Sequence, residues 1–167
     1  FKYLDLPIAA RGGALRFFLL YHGIDFESSL FKPKTEWPAE KKRMVESGEN
    51  PAGNVPVVLL GDKTLTQHIA TMRYLARVAG ITTGEAYGDF VQDAVADEYQ
   101  GWRNDFVGAA FGPDEGKALY REGLPDRLGV FEALYTKYKT GSGPFLSTSP
   151  AGKGLWGDTA VFGLLWD

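Results

Sequence analysis

The sequence predicts a small α/β domain followed by an all-helical domain. Strand and helix patterns alternate over roughly the first 80 residues, with the order strand, helix, strand, helix, strand, strand, helix. After "GITTGEAYGD", which reads as a linker over 80–89, the strand signal vanishes and long helical periodicities replace it. The boundaries expected are 1–80 for the α/β domain and 87–167 for the helical one. A chain of 167 residues with 44% hydrophobic content is long enough to bury a core in each.

Each element has a local cause. "FKYLDL" is a short strand closed by Pro7, and "ARGGALRFFLLYHG" has helical periodicity through Leu15, Phe18 and Leu19, with Gly23 as its stop. "IDFESSLF" alternates as a second strand, over 24–31. "TEWPAEKKRMVESG" is a helix with Thr35 as its cap and Pro38 in the first turn. "NVPVVLLGDKTLT" is a hairpin around Gly-Asp-Lys, and a helix then runs from Gln67 to about Ala79 with Ile69, Met72, Leu75 or Ala76, and Val78 on one side. In the second domain, Phe90–Phe111 carries the stripe Val91, Ala94, Val95, Trp102 and Phe106. A second helix, Asp126–Tyr138, carries Leu128, Phe131, Leu134 and Tyr138, and "TGSGPFLSTSPAGKG" is a loop by composition. The chain begins without Met and stops inside a helical pattern, so further residues are expected at both ends.

Composition excludes several chemistries. A net charge of −3 does not suit a dedicated nucleic-acid binder, and no apolar run reaches membrane-spanning length. With no cysteine there is no disulfide, thiolate metal site or cysteine nucleophile. His22 and His68 are the two histidines, and neither has acidic partners at metal-ligand spacing, so no metal is expected. "AARGGAL" lacks the Gly spacing and the Lys-Ser/Thr of a phosphate loop.

Three features point toward a ligand, each with a structural alternative. Pro56 removes a ladder donor at the hairpin start, so it marks either an ordinary strand beginning or a cis turn that leaves the Val55 backbone facing an extended peptide. Trp37 and Lys41 share one helix face, either as a carboxylate-binding edge or as a packed Trp with a solvated Lys. His68 stands at a helix start, where a short side-chain oxygen is favoured over imidazole. It is either a neutral ring packed in the interior or a partner for a carboxylate.

Taken together, "YLDLPIAARGGALR", "EWPAEKK", "NVPVVLLGD" and "LTQHIATMRYLAR" resemble the cytosolic glutathione transferase family, nearest its tyrosine-type sigma, pi and alpha-like classes. The resemblance covers essentially the whole chain and is strongest from Asn54 to Leu75. It implies a thioredoxin-like domain that binds glutathione as co-substrate, an all-α domain that walls the second-substrate site, a homodimer and a cytoplasmic detoxification role. Position by position, it implies Tyr3 as the catalytic hydroxyl and Arg11 beside it. Trp37 and Lys41 would hold the glycine carboxylate, Val55 before Pro56 the cysteinyl backbone, and Gln67 with His68 the γ-glutamyl end. Asp97 would reach the neighbouring subunit's glutathione.

The implied chemistry is thiolate generation. A thiol with pKa about 8.5 is only a few per cent ionised at neutral pH. Lowering it by about two units takes roughly 2.7 kcal/mol, the scale of a charged hydrogen bond aided by a helix N-terminus. The expected reaction is addition of glutathione to a hydrophobic electrophile, or isomerisation through the same thiolate. A catalytically inactive subunit of a larger complex is the alternative. The sequence departs from the family pattern in four places. The loop between Tyr3 and Arg11 is about two residues longer, which brings Asp5 into play if the loop is counted back from Arg16. His68 replaces a serine, Leu155 stands where a helix cap is expected, and the family's last helices are absent.

Overall fold

The computed structural model describes residues 1–140 and 143–167, in two compact units: Phe1–Ala79 with Phe162–Asp167, and Gly80–Val161. The expected 140–154 loop includes positions 141 and 142, which lie outside the described residues.

The first unit holds a four-stranded sheet of order β2-β1-β3-β4, formed by β1 (Lys2–Leu4), β2 (Ser29–Phe31), β3 (Val57–Leu60) and β4 (Lys63–Thr66). β1 and β2 are parallel, which requires the crossover helix α1 (Ala10–His22), whereas β3 pairs antiparallel with β1 and β4. β2 is shorter than its alternation predicts because β1 offers it only Lys2, Tyr3 and Leu4 as partners. α1 ends at Gly23, whose left-handed φ of 68° lets its N–H return to the carbonyls of Leu19 and Leu20. α1 and α3 (His68–Val78) pack together, burying Leu15, Phe18 and Leu19 with Ile69, Met72, Leu75 and Ala76. Val78, expected on that face, is 62% exposed, since nine positions at about 100° each turn it to the side opposite Ile69.

α2 (Trp37–Glu46) starts two residues after Thr35, and Glu36 stands at its N-cap, its carboxylate accepting the N–H of Lys32 at 2.9 Å. Met44 anchors this helix in the core. Its polar side is tied to β1 by charge: Lys2 Nζ donates to Glu40 (3.0 Å) and Glu49 (2.8 Å), and Arg43 donates to the same two carboxylates. The Arg43 hydrogen bond, helped by Lys2 and opposed by partial burial, pulls the Glu40 pKa down to about 2.

The second unit is helical: α4 (Ala86–Phe111), α5 (Asp114–Glu122), α6 (Leu124–Tyr138) and the first turns of α7 (Trp156–Leu165). α4 and α6 begin four and two residues before the expected Phe90 and Asp126. α5 is an element the sequence reading does not mark: none of its residues is fully buried, and Asp114 and Glu115 in its first turn suit the helix dipole. Trp102 secures it, its ring tilted against that of Phe131 (4.9 Å between centroids) while its indole N–H reaches the Tyr120 hydroxyl at 2.9 Å. Leu128, expected in the α6 stripe, is 43% exposed.

Leu155 gives α7 no side-chain cap, and two other residues supply one. The Asp158 carboxylate reaches back to the N–H of Leu155 (3.2 Å), and the Gln92 side-chain carbonyl accepts the N–H of Gly157 (2.8 Å). Asp158 also accepts from Leu146 N–H, the Tyr135 hydroxyl and the Gln92 amide, which makes a buried polar knot joining α4, α6, α7 and the loop between them.

Candidate active site

Strand register gathers most of the sequence-marked residues at one end of the sheet. Lys2 pairs with Val57 and Val57 with Thr66, so the exit of β1, the entry of β3 and the exit of β4 lie together. Tyr3 lies in β1 one residue before that exit, Val55–Pro56 just before β3, and Gln67 and His68 just after β4. The parallel partner β2 leaves at the same end and leads to Trp37, whose ring lies 6.3 Å from that of Phe31.

Tyr3 is 8% exposed and its ring rests on α1 at Gly12, where any Cβ would collide with the ring carbons. Gly12 is therefore required by contact rather than by backbone conformation. Beside this ring is a cavity of about 430 Å³, bounded by the loop from Leu4 to Ala9, by Gly12, Gly13, Arg16, Phe17 and Leu20 of α1, and by Leu30 of β2. Its walls are mainly apolar, with Asp5 and Arg16 as the charged members. The loop after β1 leaves Tyr3 on the strand, in register with Leu30. Asp5 lies beyond the strand, exposed, with its N–H donated to Phe31 at 2.9 Å.

The Val55–Pro56 bond is cis, and β3 begins only at Val57, so the Val55 backbone lies outside the ladder. Lys41 comes near this turn: its aliphatic stem lies against Gly53, whose φ of 58° and contact with the stem both favour glycine. Gln67 is exposed and holds a left-handed φ of 67°, rare for a residue with a Cβ, and its carbonyl accepts the N–H of Thr71 at 2.9 Å. His68 is 2% exposed. Its ring belongs to the interior, which favours the packing reading over contact between imidazole and a carboxylate. Arg11 is half-buried in the first turn of α1. Asp97 is exposed on α4, in the other unit. Among the described residues no group of three or more His, Asp or Glu is arranged to hold a metal.

A parallel-plus-hairpin sheet with a cis-proline entry to β3, followed by a helical unit, defines a thioredoxin-like, two-part class of protein. Comparison narrows it. The chain is 35% identical over 105 residues to a probable glutathione S-transferase 7 of Caenorhabditis elegans, spanning 63% of this chain and 48% of the relative. It is 30% identical over 115 residues to a glutathione S-transferase of Anopheles gambiae, spanning 69% and 53%. A solved Nu-class glutathione transferase from Haemonchus contortus superposes with a TM-score of 0.73 at 27% identity, covering 96% of this chain and 76% of that one. No family model matches the chain. The chain is similar to members of the glutathione S-transferase family, and it spans about half the length of the curated relatives it matches.

Proposed function

We propose that this chain binds glutathione at the end of its sheet and adds the thiolate to hydrophobic electrophiles. The observation that carries the reading is the Tyr3 ring seated on Gly12 beside a mostly apolar cavity of about 430 Å³, in a chain similar to members of this family. In this reading the Tyr3 hydroxyl donates to the sulfur and stabilises the anion. Arg11, in the first turn of α1, adds positive charge. Val55 pairs its backbone with the cysteinyl part, while Trp37 and Lys41 hold the glycine carboxylate. Gln67 and the main chain of His68, at the first turn of α3, take the γ-glutamyl end; the buried imidazole orients that turn from inside.

The electrophile enters the apolar cavity and meets a sulfur already ionised. The protein contributes orientation and electrostatics, with no separate acid–base pair. A homodimer, with Asp97 serving the partner's site, and a cytoplasmic detoxification role belong to the same proposal. No helix among the described residues is long and apolar enough to cross a membrane.

The test is retention on immobilised glutathione followed by conjugation of a generic aromatic electrophile. Retention with turnover that falls in Tyr3→Phe supports the reading. Retention without turnover would return the chain to the role of an inactive subunit in a larger complex.

A further inference from the structure

Helix α1 begins unusually. Ala10, its first residue, holds φ +49°, a left-handed conformation that side-chain-bearing residues rarely adopt. Ala9 at the N-cap has no oxygen with which to satisfy the first-turn donors. Those donors are met from far along the chain: Ala9 N–H reaches Oδ1 of Asp167 at 2.6 Å, and Ala10 N–H reaches Oδ2 at 2.9 Å. Both belong to the same compact unit as Tyr3. The turn they hold is a wall of the Tyr3 cavity, which Ala9 and Gly12 both line. Gly12 is two residues beyond Ala10 and is the surface on which the Tyr3 ring rests. Moving the first turn of α1 therefore moves the seat of that ring.

We propose that Asp167 is a positioning residue for Tyr3: its carboxylate holds the left-handed start of α1 and so keeps Gly12 under the tyrosine ring. The consequence for catalysis rests on the reading of Tyr3 as the thiol-activating hydroxyl; the consequence for Tyr3 itself does not. Asp5 and Arg16 line the same cavity and Arg11 lies in the same turn, so they set the electrostatic background against which Asp167 is tested.

The test uses Asp167→Ala, Asp167→Asn and Asp167→Ala combined with Ala10→Gly, since glycine adopts the left-handed start without strain and needs less holding. Two readouts are independent of turnover. One is the ring signal of Tyr3 in ¹³C-tyrosine-labelled protein, assigned by its absence in Tyr3→Phe. The other is amide exchange at Ala9 and Ala10. Asp167→Ala should shift or broaden the Tyr3 signal and speed that exchange about tenfold or more, and Ala10→Gly should return both toward wild type. Asp167→Asn, which keeps one acceptor oxygen, should fall between; it is read in the same way if the alanine variant does not fold.

With glutathione bound, the apparent thiol pKa from the pH–rate profile should rise in Asp167→Ala toward the free value of about 8.5 and recover in the double variant. A Tyr3 signal indifferent to Asp167 overturns the proposal whatever the turnover. A thiol pKa that falls in Asp167→Ala overturns it too, because the carboxylate would then act by its charge and not by position. Wild-type protein without turnover, but with a Tyr3 signal that answers to Asp167, sinks the transferase reading and supports the positioning role.

Discussion

Asp158 is the side chain whose loss the helical unit should feel most. Its Oδ1 accepts from the Tyr135 hydroxyl and Leu146 N–H, both at 3.0 Å, and its Oδ2 from Leu155 N–H at 3.2 Å and the Gln92 amide at 3.1 Å. Leu146, Leu155 and Gln92 are 0% exposed, so Asp158→Ala strands three donors where water does not reach them. At about 1–3 kcal/mol for each unsatisfied buried donor the gross loss is about 3–9 kcal/mol. Part of it is offset, because burial already penalises the carboxylate and holds its pKa above the usual value despite the donors. A net loss of about 3–5 kcal/mol follows, matching the cost of breaking other buried charge networks. Tyr135→Phe is the matched control: it removes one of four donors and leaves the carboxylate three, so about 1 kcal/mol is expected.

The assay is urea unfolding followed by circular dichroism and by tryptophan fluorescence, which Trp102 and Trp156 report from within the unit. If Asp158→Ala costs under about 1 kcal/mol, the four hydrogen bonds do not hold the unit together and the reasoning fails. The pH dependence gives a second check with a definite sign. Because the folded-state pKa of Asp158 is raised, the part of its contribution linked to protonation is fully present below the unfolded value near 3.8 and is lost as pH rises through the folded pKa, leaving the hydrogen bonds to the carboxylate. Asp158→Ala should remove that slope.

Glu40 gives the opposite slope. Its pKa is pulled down to about 2, so its contribution is complete above about 4.5 and lost as pH falls toward 2; Arg43→Gln should weaken the acid unfolding transition measured over that range. Gly12→Ala should cost about 1–3 kcal/mol by overpacking, read from thermal denaturation, and should disturb the Tyr3 ring before any other aromatic. Tyr3→Phe should lower the conjugation rate about 10- to 1000-fold with glutathione affinity little changed; unchanged turnover at neutral pH would dismiss Tyr3. With its ring buried, His68 should give no pH dependence of glutathione affinity between about 6 and 8, the range around the free imidazole value. Titration calorimetry of wild type and His68→Ser should yield parallel profiles, and a slope present only in wild type would reinstate the imidazole as a ligand contact.

What the sequence made legible follows from how far each signal reaches. Periodicity gave α1, α3, α4 and the hairpin, because burial on one face leaves a repeat that depends on local spacing alone. α5 escaped notice because none of its residues is fully buried, so burial leaves no run of core positions to read. The Val-Pro pair before β3 and the glycine under Tyr3 were visible as residue types, but the contact between Gly12 and the tyrosine ring was not, because β1 and α1 meet across the loop that joins them. The same limit explains α7. Read by position, Leu155 is a missing cap. In space, the orphan N–H groups are satisfied by a carboxylate three residues on and by a glutamine on α4, with |i−j| of 65 from Gly157 to Gln92. The amides of Ala9 and Ala10 repeat this logic, drawing on Asp167 from the far end of the chain. In both places a poor cap in the sequence is the visible half of a long-range hydrogen bond, because a buried or strained helix start cannot leave its donors unmet. A helix start whose own sequence offers no oxygen is therefore a place to look for a distant partner, and here one such start carries the seat of Tyr3.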